Sequence, residues 1–478
     1  MIFAACPQKR AMGKFSPRIS IDDISARLVD GTKFLFMQTR LFFSLLLSLI
    51  SAFSTQAATS VGAAKIDVTP DYPIRMGGYA VRRTRSEGIE QRIWAKALAI
   101  SSGDDKPVVY ITLDNNGIAE QTYRNIGDRL QQSAGLSKDR FTIASSHTHT
   151  GPLTSFKSPN LFIEDMPAED AAIIDRYTAE LIVKIEHVAL EAINKRAPAN
   201  LFRTTGRVDF ARNRRGTAIK PVDHSLPVLI AKNARGETVA ILATYACHCT
   251  TLSGQFKKIC GDWAGYAQEA IEHDHPKAIA LISIGCGADA NPQPREGTDA
   301  GLEFAKQHGS AIATEVKNLL RSELKPLECR RIVTRLREID LPFAPHFTRG
   351  EWEARAQKPG IVGYHARKNL ACITRGEQLP KSLYYPIVSW SFDRDLSMLF
   401  LPGKVAVDYA LRLRQEHTER PLWITAYANY VPCYIPSKRI LAEGGYEAED
   451  SLWYYDRPAR LSSEIEDLIH NAVSDMIR

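Results

Sequence analysis

Three apolar, β-branched runs, each breaking off into a polar loop, constrain this chain more than any other feature. Residues 107–114 (PVVYITLD) open onto Asn115 and Asn116. Residues 140–146 (RFTIASS) open onto His147-Thr148-His149, and residues 278–284 (AIALISI) onto Gly285-Cys286-Gly287-Ala288-Asp289. Runs this short and this apolar are buried strands. Residues 171–193 carry apolar side chains three and four apart at Ile174, Tyr177, Leu181, Ile185, Val188 and Ala192, with Pro198 beyond the end, and read as an amphipathic helix. Asp262 is placed to cap a helix running to about His273, and residues 301–321 read as a further helix. Residues 228–230 and 238–245 flank Asn-Ala-Arg-Gly, a hairpin signal. Hairpins beside strand–helix alternation predict an α/β fold with mixed β-sheets and flanking helices. No repeat or low-complexity linker divides residues 59–478, which are expected to form one large domain.

The bulk composition is that of a globular chain, 44% hydrophobic and 24% charged over 478 residues. The net charge of +7 is scattered, and no nucleic-acid motif accompanies it. Arg82, Arg83 and Arg85 form the densest early basic cluster, read as a solvated loop or as a peripheral contact with anionic lipid. From Met37 the chain has a short basic stretch, an apolar run over residues 41–53 and then Ser-Thr-Gln-Ala-Ala. This is the pattern of a signal peptide spanning residues 37–58, cut near Ala57 or Ala58, and the run is short for a bilayer span. The mature protein is then exported, either to the periplasm or outside the cell. Residues 1–36 are an upstream extension, or Met37 is the start. Seven of the eight cysteines lie after the leader, and they read as buried thiols or one disulfide, not as a Cys-rich metal site.

The chemistry-bearing residues follow the strands. A His-x-His pair on extended backbone turns both rings to one side, so His147 and His149 can share a metal, or divide metal and substrate between them. His248, in Ala-Cys-His-Cys-Thr-Thr, is a further imidazole at a strand end. Asp289 is a candidate general base, a partner to a histidine, or a turn residue. Nucleophile elbows, phosphate loops and dinucleotide fingerprints are absent from the sequence.

In order along the chain these pieces resemble the catalytic domain of the neutral (non-lysosomal) ceramidases. The series runs from Lys65-Ile66-Asp67-Val68-Thr69-Pro70 and Met76-Gly77-Gly78-Tyr79 through the Ser-His-Thr-His-Thr-Gly-Pro loop, Asn213-Arg214 and Gly261-Asp262-Trp263-Ala264-Gly265. It ends with Leu401-Pro402-Gly403, Tyr427-Ala428-Asn429-Tyr430 and Glu443-Gly444-Gly445-Tyr446-Glu447, so the resemblance covers roughly residues 61–450. It implies a zinc-dependent amidase, with one ion held by His147, His248, Tyr430 and a glutamate. It also implies that His149, Arg214 and Tyr446 line the reaction centre, and that the substrate is a small acyl or lipid molecule such as a sphingolipid. Two positions depart from the pattern. Lys404 stands where the ligand glutamate follows Leu-Pro-Gly, and Ala290 stands where the family has its catalytic serine. Metal affinity is then weaker, or another group such as Asp289 or Asp262 completes the shell. The family's additional C-terminal β-sandwich is not expected in this chain. The expected function is an exported zinc-dependent hydrolase of an amide or ester bond, using metal-activated water. The alternatives are a non-catalytic lipid- or glycan-binding protein, in which Lys404 favours an anion, and a phosphoester hydrolase on the same fold.

Overall fold

Alternation along the buried strands decides how the layers stack. The computed structural model describes residues 59–296 and 299–477. The signal-peptide segment 37–58 and the residues upstream lie outside the described residues. The strands are β1 (Thr59–Asp67), β2 (Trp94–Ser102), β3 (Val108–Leu113), β4 (Phe141–Ser145), β5 (Ala197–Arg207), β6 (Ala211–Asn213), β7 (Ser225–Asn233), β8 (Thr238–Tyr245) and β9 (Ile279–Ile284). After them come β10 (Ala290–Pro292), β11 (Lys325–Leu327), β12 (Ile332–Pro342), β13 (Ser382–Phe392), β14 (Leu396–Phe400), β15 (Lys404–Val405), β16 (Leu422–Thr425) and β17 (Tyr434–Ile435).

The main sheet has the order β4-β3-β2-β1-β5-β7-β8-β9, with β11 paired to β5. Only β3/β4 and β8/β9 are parallel; the other neighbours run antiparallel. A parallel pair needs a crossover, supplied here by the helices Glu120–Ala134 and Asp262–Asp274. The sheet folds over itself. Leu98, Ile100, Val108 and Tyr110 from one half share a core with Leu229, Leu242 and Leu281 from the other, and the Tyr110 hydroxyl donates to Ser283 Oγ across it at 2.9 Å. The alternate residues face outward, as period two requires. Ala97, Val109 and Ile111 pack against Ile174, Tyr177 and Leu181 of the helix Ala168–Asn194. Ile241, Ala243 and Ile282 pack against Trp263, Ala267 and Ile312. A second sheet, β12-β13-β14-β16, lies beside this body, and β6/β10 and β15/β17 form two short ladders.

Mixed sheets with flanking helices are therefore what the chain forms, and the expected helices and hairpin are present. Two details differ. Asp262 does not cap its helix: Gly261 is the N-cap, and Asp262 sits in the left-handed region at φ 54°. Its carboxylate accepts from the amides of Leu252 at 3.0 Å and Trp263 at 2.6 Å, so it ties two loops together. All seven described cysteines are free thiols, six of them buried. Among the described residues no helix is long and apolar enough to cross a membrane.

One buried ion pair joins the two halves of the main sheet. Lys96 Nζ, on the inner face of β2, donates to Glu272 Oε1 at 2.7 Å and to the Ala280 carbonyl at 2.9 Å. Removing the carboxylate leaves an unpaired ammonium in the core, so Glu272→Ala should lower the unfolding free energy by about 3–5 kcal/mol. Urea denaturation checks this, and Lys96→Met/Glu272→Ala should recover part of the loss. A single-variant change within experimental error would remove the pair from the fold's support.

Candidate functional site

The ends of β4, β8, β9 and β16 meet at one place. The Ala426 amide donates to the Ile284 carbonyl at 2.9 Å and the Ser145 amide to the Tyr427 carbonyl at 3.2 Å, which wedges the end of β16 between β4 and β9. His147 and His149 follow β4, His248 follows β8, and Arg214 follows β6. The parallel β15/β17 ladder sets Lys404 directly beside Tyr434. Gly287 permits a close approach, because a Cβ there would lie 2.5 Å from the Ala246 carbonyl carbon.

The three imidazoles form a triangle. Ring centroids are 4.8 Å apart for His147–His149, 5.1 Å for His147–His248 and 6.2 Å for His149–His248. The His-x-His rings do converge, but not on extended backbone: His147 is left-handed, at φ 59°. Backbone carbonyls assign the tautomers. His147 Nδ1–H donates to the Asn116 carbonyl at 2.7 Å, and His248 Nδ1–H to the Gly287 carbonyl at 2.9 Å. Both Nε2 atoms then carry lone pairs. His149 Nε2 lies 3.1 Å from His147 Nε2 and donates to it, while His149 Nδ1 is buried without a partner. The Tyr434 hydroxyl donates to His248 Nε2 at 3.4 Å and accepts from Arg214 Nη2 at 2.9 Å. Tyr427, which the sequence reading did not single out as a site residue, stacks on His147 with centroids 4.6 Å apart.

Burial and nearby positive charge hold all three imidazoles well below the usual histidine range. Burial is the larger cause; Lys404 follows for His147 and His149, and Arg214 then Lys404 for His248. Neutral imidazoles are acceptors and bases at pH 7. Lys404 is itself fully inside. Burial, with Lys157 and Arg214 nearby, pushes its ammonium well below the ordinary lysine range.

Several expected roles change. Tyr430 is not at the imidazoles: its hydroxyl donates to the Tyr384 carbonyl and its ring stacks on Tyr123 at 6.5 Å, in the neighbouring core. The tyrosine facing His248 is Tyr434, four residues on, and its pairing with Lys404 in a short ladder was the signal that would have separated the two. Asp289 is not a base. Its Oδ1 accepts from the Val407 amide at 3.1 Å and its Oδ2 from Asn213 Nδ2 at 2.8 Å, so it clamps the loops that carry Arg214 and Lys404. Arg82 is neither solvated nor lipid-facing. It is buried and donates to the carbonyls of Gly77, at 2.7 Å, and His149, supporting the histidine loop from below. Arg214 and Tyr446, expected to line the reaction centre, lie at the outer edge of the histidine cluster. Arg214 is paired with Glu447 at 2.8 Å and lies 5.6 Å from the half-exposed Tyr446 ring.

The donor set does not fit a zinc ion. His147 Nε2 and His248 Nε2 direct lone pairs inward, but the remaining corner holds Lys404 instead of a carboxylate. Asp289 and Asp262 are committed to amides, and Glu447 binds Arg214 and Arg215. Among the described residues no group of three or more His, Cys, Asp or Glu side chains is arranged to hold a metal. Lys404, Lys157 and Arg214 oppose a dication beside the imidazoles, where a carboxylate would have attracted it.

Comparison with known proteins agrees with this arrangement of loops. Residues 60–283 match the family model described as neutral/alkaline non-lysosomal ceramidase, N-terminal. Neutral ceramidase B of Dictyostelium discoideum is 24% identical over 231 residues, which cover 45% of this chain and 32% of that protein. Neutral ceramidase A of the same organism is 22% identical over 256 residues, 51% of this chain and 36% of that protein. The matched stretches thus span about a third of each relative's length. In three dimensions, neutral ceramidase from Pseudomonas aeruginosa superposes with a TM-score of 0.70 at 18% identity, covering 88% of this chain and 74% of that one. A ceramidase complexed with C2 superposes equally well, at 17% identity. These superpositions establish the fold, and the match to the neutral/alkaline non-lysosomal ceramidase model covers residues 60–283, just under half of the chain.

Proposed function

We propose that this chain is an exported hydrolase of a linear acyl amide or ester, ceramidase-like in substrate geometry, that works on neutral imidazoles. The observation that carries the reading is the triangle of His147, His149 and His248 beside Arg214 and Tyr434. In the proposed step a water gives its proton to His147 Nε2, whose basicity is supported by the Asn116 carbonyl behind it. The water oxygen bonds to the acyl carbon. Arg214 and Tyr434 stabilise the negative charge that develops on the carbonyl oxygen. Collapse breaks the bond to the leaving nitrogen or oxygen, which takes the proton back from the imidazoles. Ala290 offers no nucleophile, so no acyl-enzyme forms there.

Neutral ceramidases are metal-dependent, and the resemblance implies zinc. No step here is routed through it, because the residues present do not fit the ion. The substrate class, an acyl or lipid molecule, is supported by the family. The exposed Val81 beside Arg83 supports a peripheral contact with lipid. A second reading, binding without turnover, is favoured by Lys404 and Ala290 together.

Hydrolysis of N-hexanoyl sphingosine and p-nitrophenyl hexanoate tests the proposal. Turnover should persist after EDTA treatment and fall at least 100-fold in His147→Ala and His248→Ala, the scale of a lost acid–base group. Turnover abolished by EDTA and restored by zinc would return the reaction to the metal. No turnover of any acyl substrate leaves binding alone.

The two tyrosines separate in a further measurement. Tyr434→Phe should lower kcat about tenfold or more, since it removes a donor beside the developing charge. Tyr430→Phe should leave kcat within about twofold and cost about 1 kcal/mol of stability, the worth of its bond to the Tyr384 carbonyl. Equal kcat losses would contradict the assignment of Tyr434.

Export rests on the leader pattern of residues 37–58. N-terminal sequencing of the secreted or periplasmic protein should read from Ala58 or Thr59; a mature chain still carrying residues 41–53 would overturn it.

A further inference from the structure

Cations and aromatic rings alternate in one row through the protein beside the imidazoles. Lys157 Nζ lies 4.3 Å from the Tyr455 ring centre, and Lys404 Nζ lies 5.4 Å from the same ring. Lys404 Nζ is also 4.6 Å from the Tyr434 ring. Arg214 lies 5.5 Å from Tyr434 and 5.6 Å from Tyr446. The row begins at a surface hollow lined by Arg214, Tyr446 and Glu447. It ends at a second hollow open to the surface, of about 170 Å³, lined by Lys157, Tyr430, Tyr455 and the exposed Phe156.

Among the described residues, neither lysine of this row is paired with a carboxylate. Lys404 is 4% exposed, and among the described residues its ammonium makes no hydrogen bond and no ion pair, lying against the Tyr434 and Tyr455 rings. Lys157 is 3% exposed and has a single bond, to Ser158 Oγ at 3.1 Å. The nearby carboxylates are spoken for: Glu447 by Arg214 and Arg215, Asp289 by Asn213 and the Val407 amide, and Glu120, at the second hollow, by Arg124. Buried ammonium groups without a counter-charge are costly, and ring faces offset only part of that. Arg214 keeps Nη1 uncommitted, since Nε and Nη2 serve Glu447 and Tyr434.

We infer that Lys404, with Lys157 behind it and Arg214 in front, is a binding site for one oxyanion, a carboxylate or a phosphate, in the corner where a metal-ligating glutamate would stand. The anion supplies the missing charge. It accepts from Lys404 Nζ and Arg214 Nη1. A carboxylate would come from a released acyl chain, and a phosphate from a phosphorylated head group. This inference goes beyond the hydrolase reading and stands without turnover.

Calorimetric titration of the EDTA-treated full protein tests it, with sodium hexanoate, inorganic phosphate and zinc chloride as separate titrants. Wild type should bind one anion per chain and no zinc at the site. Lys404→Met and Lys157→Met should each weaken anion binding at least about tenfold, the scale of a charge-assisted hydrogen bond. Lys404→Glu should lose the anion and gain one zinc ion, which a further His248→Ala change should release. Tighter binding of hexanoate assigns the site to an acyl carboxylate, and tighter binding of phosphate to a head group; both uphold the inference. It is overturned if wild type binds neither anion at millimolar concentration, if both lysine variants bind as wild type does, or if wild type holds zinc as Lys404→Glu does. If Lys404→Met fails to fold, the wild-type titrations and Lys157→Met still decide. Anion binding without acyl turnover would leave this site in place and sink only the hydrolase reading.

Discussion

Asp289 is the joint on which the site depends. Its side chain spans from Asn213, next to Arg214, to the amide of Val407, three residues after Lys404. Its own carbonyl accepts from the Arg214 amide at 2.8 Å, and the next residue, Ala290, offers its carbonyl to the His248 amide at 3.0 Å. One aspartate therefore registers the arginine, the lysine and one imidazole against each other. It is buried with both oxygens occupied, and burial raises its pKa despite those bonds. Such a group serves geometry, and its chemistry is exhausted by the contacts it makes.

The electrostatics follow from what is absent near that joint. In a metal site, histidine lone pairs and a carboxylate together attract a dication, and backbone carbonyls on the far ring nitrogens keep the lone pairs directed inward. This chain retains the second half of that arrangement, at Asn116 and Gly287, and replaces the carboxylate with an ammonium. The lone pairs remain aimed at a common point, but the field there is positive. Positive fields within low-dielectric walls favour anions and developing oxyanions. A carbonyl oxygen becoming negative and a bound carboxylate make the same demand, so the hydrolase reading and the anion site draw on one property.

Much of this was legible in the sequence, and the rest was hidden for identifiable reasons. Buried strands announce themselves by composition, so β3, β4, β8 and β9 and the loops after them could be read directly, and with them His147, His149, His248 and Asp289. What those residues touch could not. Tyr430 and Tyr434 are four residues apart in a segment with almost no periodicity, and only the two-residue ladder between Lys404 and Tyr434 decides which of them faces His248. Asp289 sits in a loop where a base and a clamp have the same sequence appearance. Arg82 looked like one of three surface cations. Its neighbours behave so, Arg83 and Arg85 pairing with Glu164, Glu169 and Asp170, while Arg82 turns inward to backbone carbonyls. The role of Lys404 was half legible: the sequence marked it as out of place, but Tyr455 and Lys157, which complete its surroundings, lie in segments that carried no motif.

Strain gives the last step of the argument. His147, Tyr427 and Asn429 all hold left-handed backbone, at φ 59°, 52° and 63°, and none is glycine. Each such residue costs on the order of 1–3 kcal/mol and persists only where its surroundings overdetermine it. Here the surroundings are backbone hydrogen bonds. The Tyr427 amide donates to the Gly403 carbonyl at 2.9 Å, and the Asn429 amide donates to the Ile143 carbonyl inside β4. Gly78 leaves room for the His149 ring, since a Cβ there would lie 2.4 Å from its Cγ. The imidazoles are thus held in position by the sheet, without needing an ion to draw them together. That accounts for how the site can keep its shape after exchanging a carboxylate for a lysine: the geometry is set by strand ends and carbonyls, and the charge at the remaining corner decides what the geometry is used for.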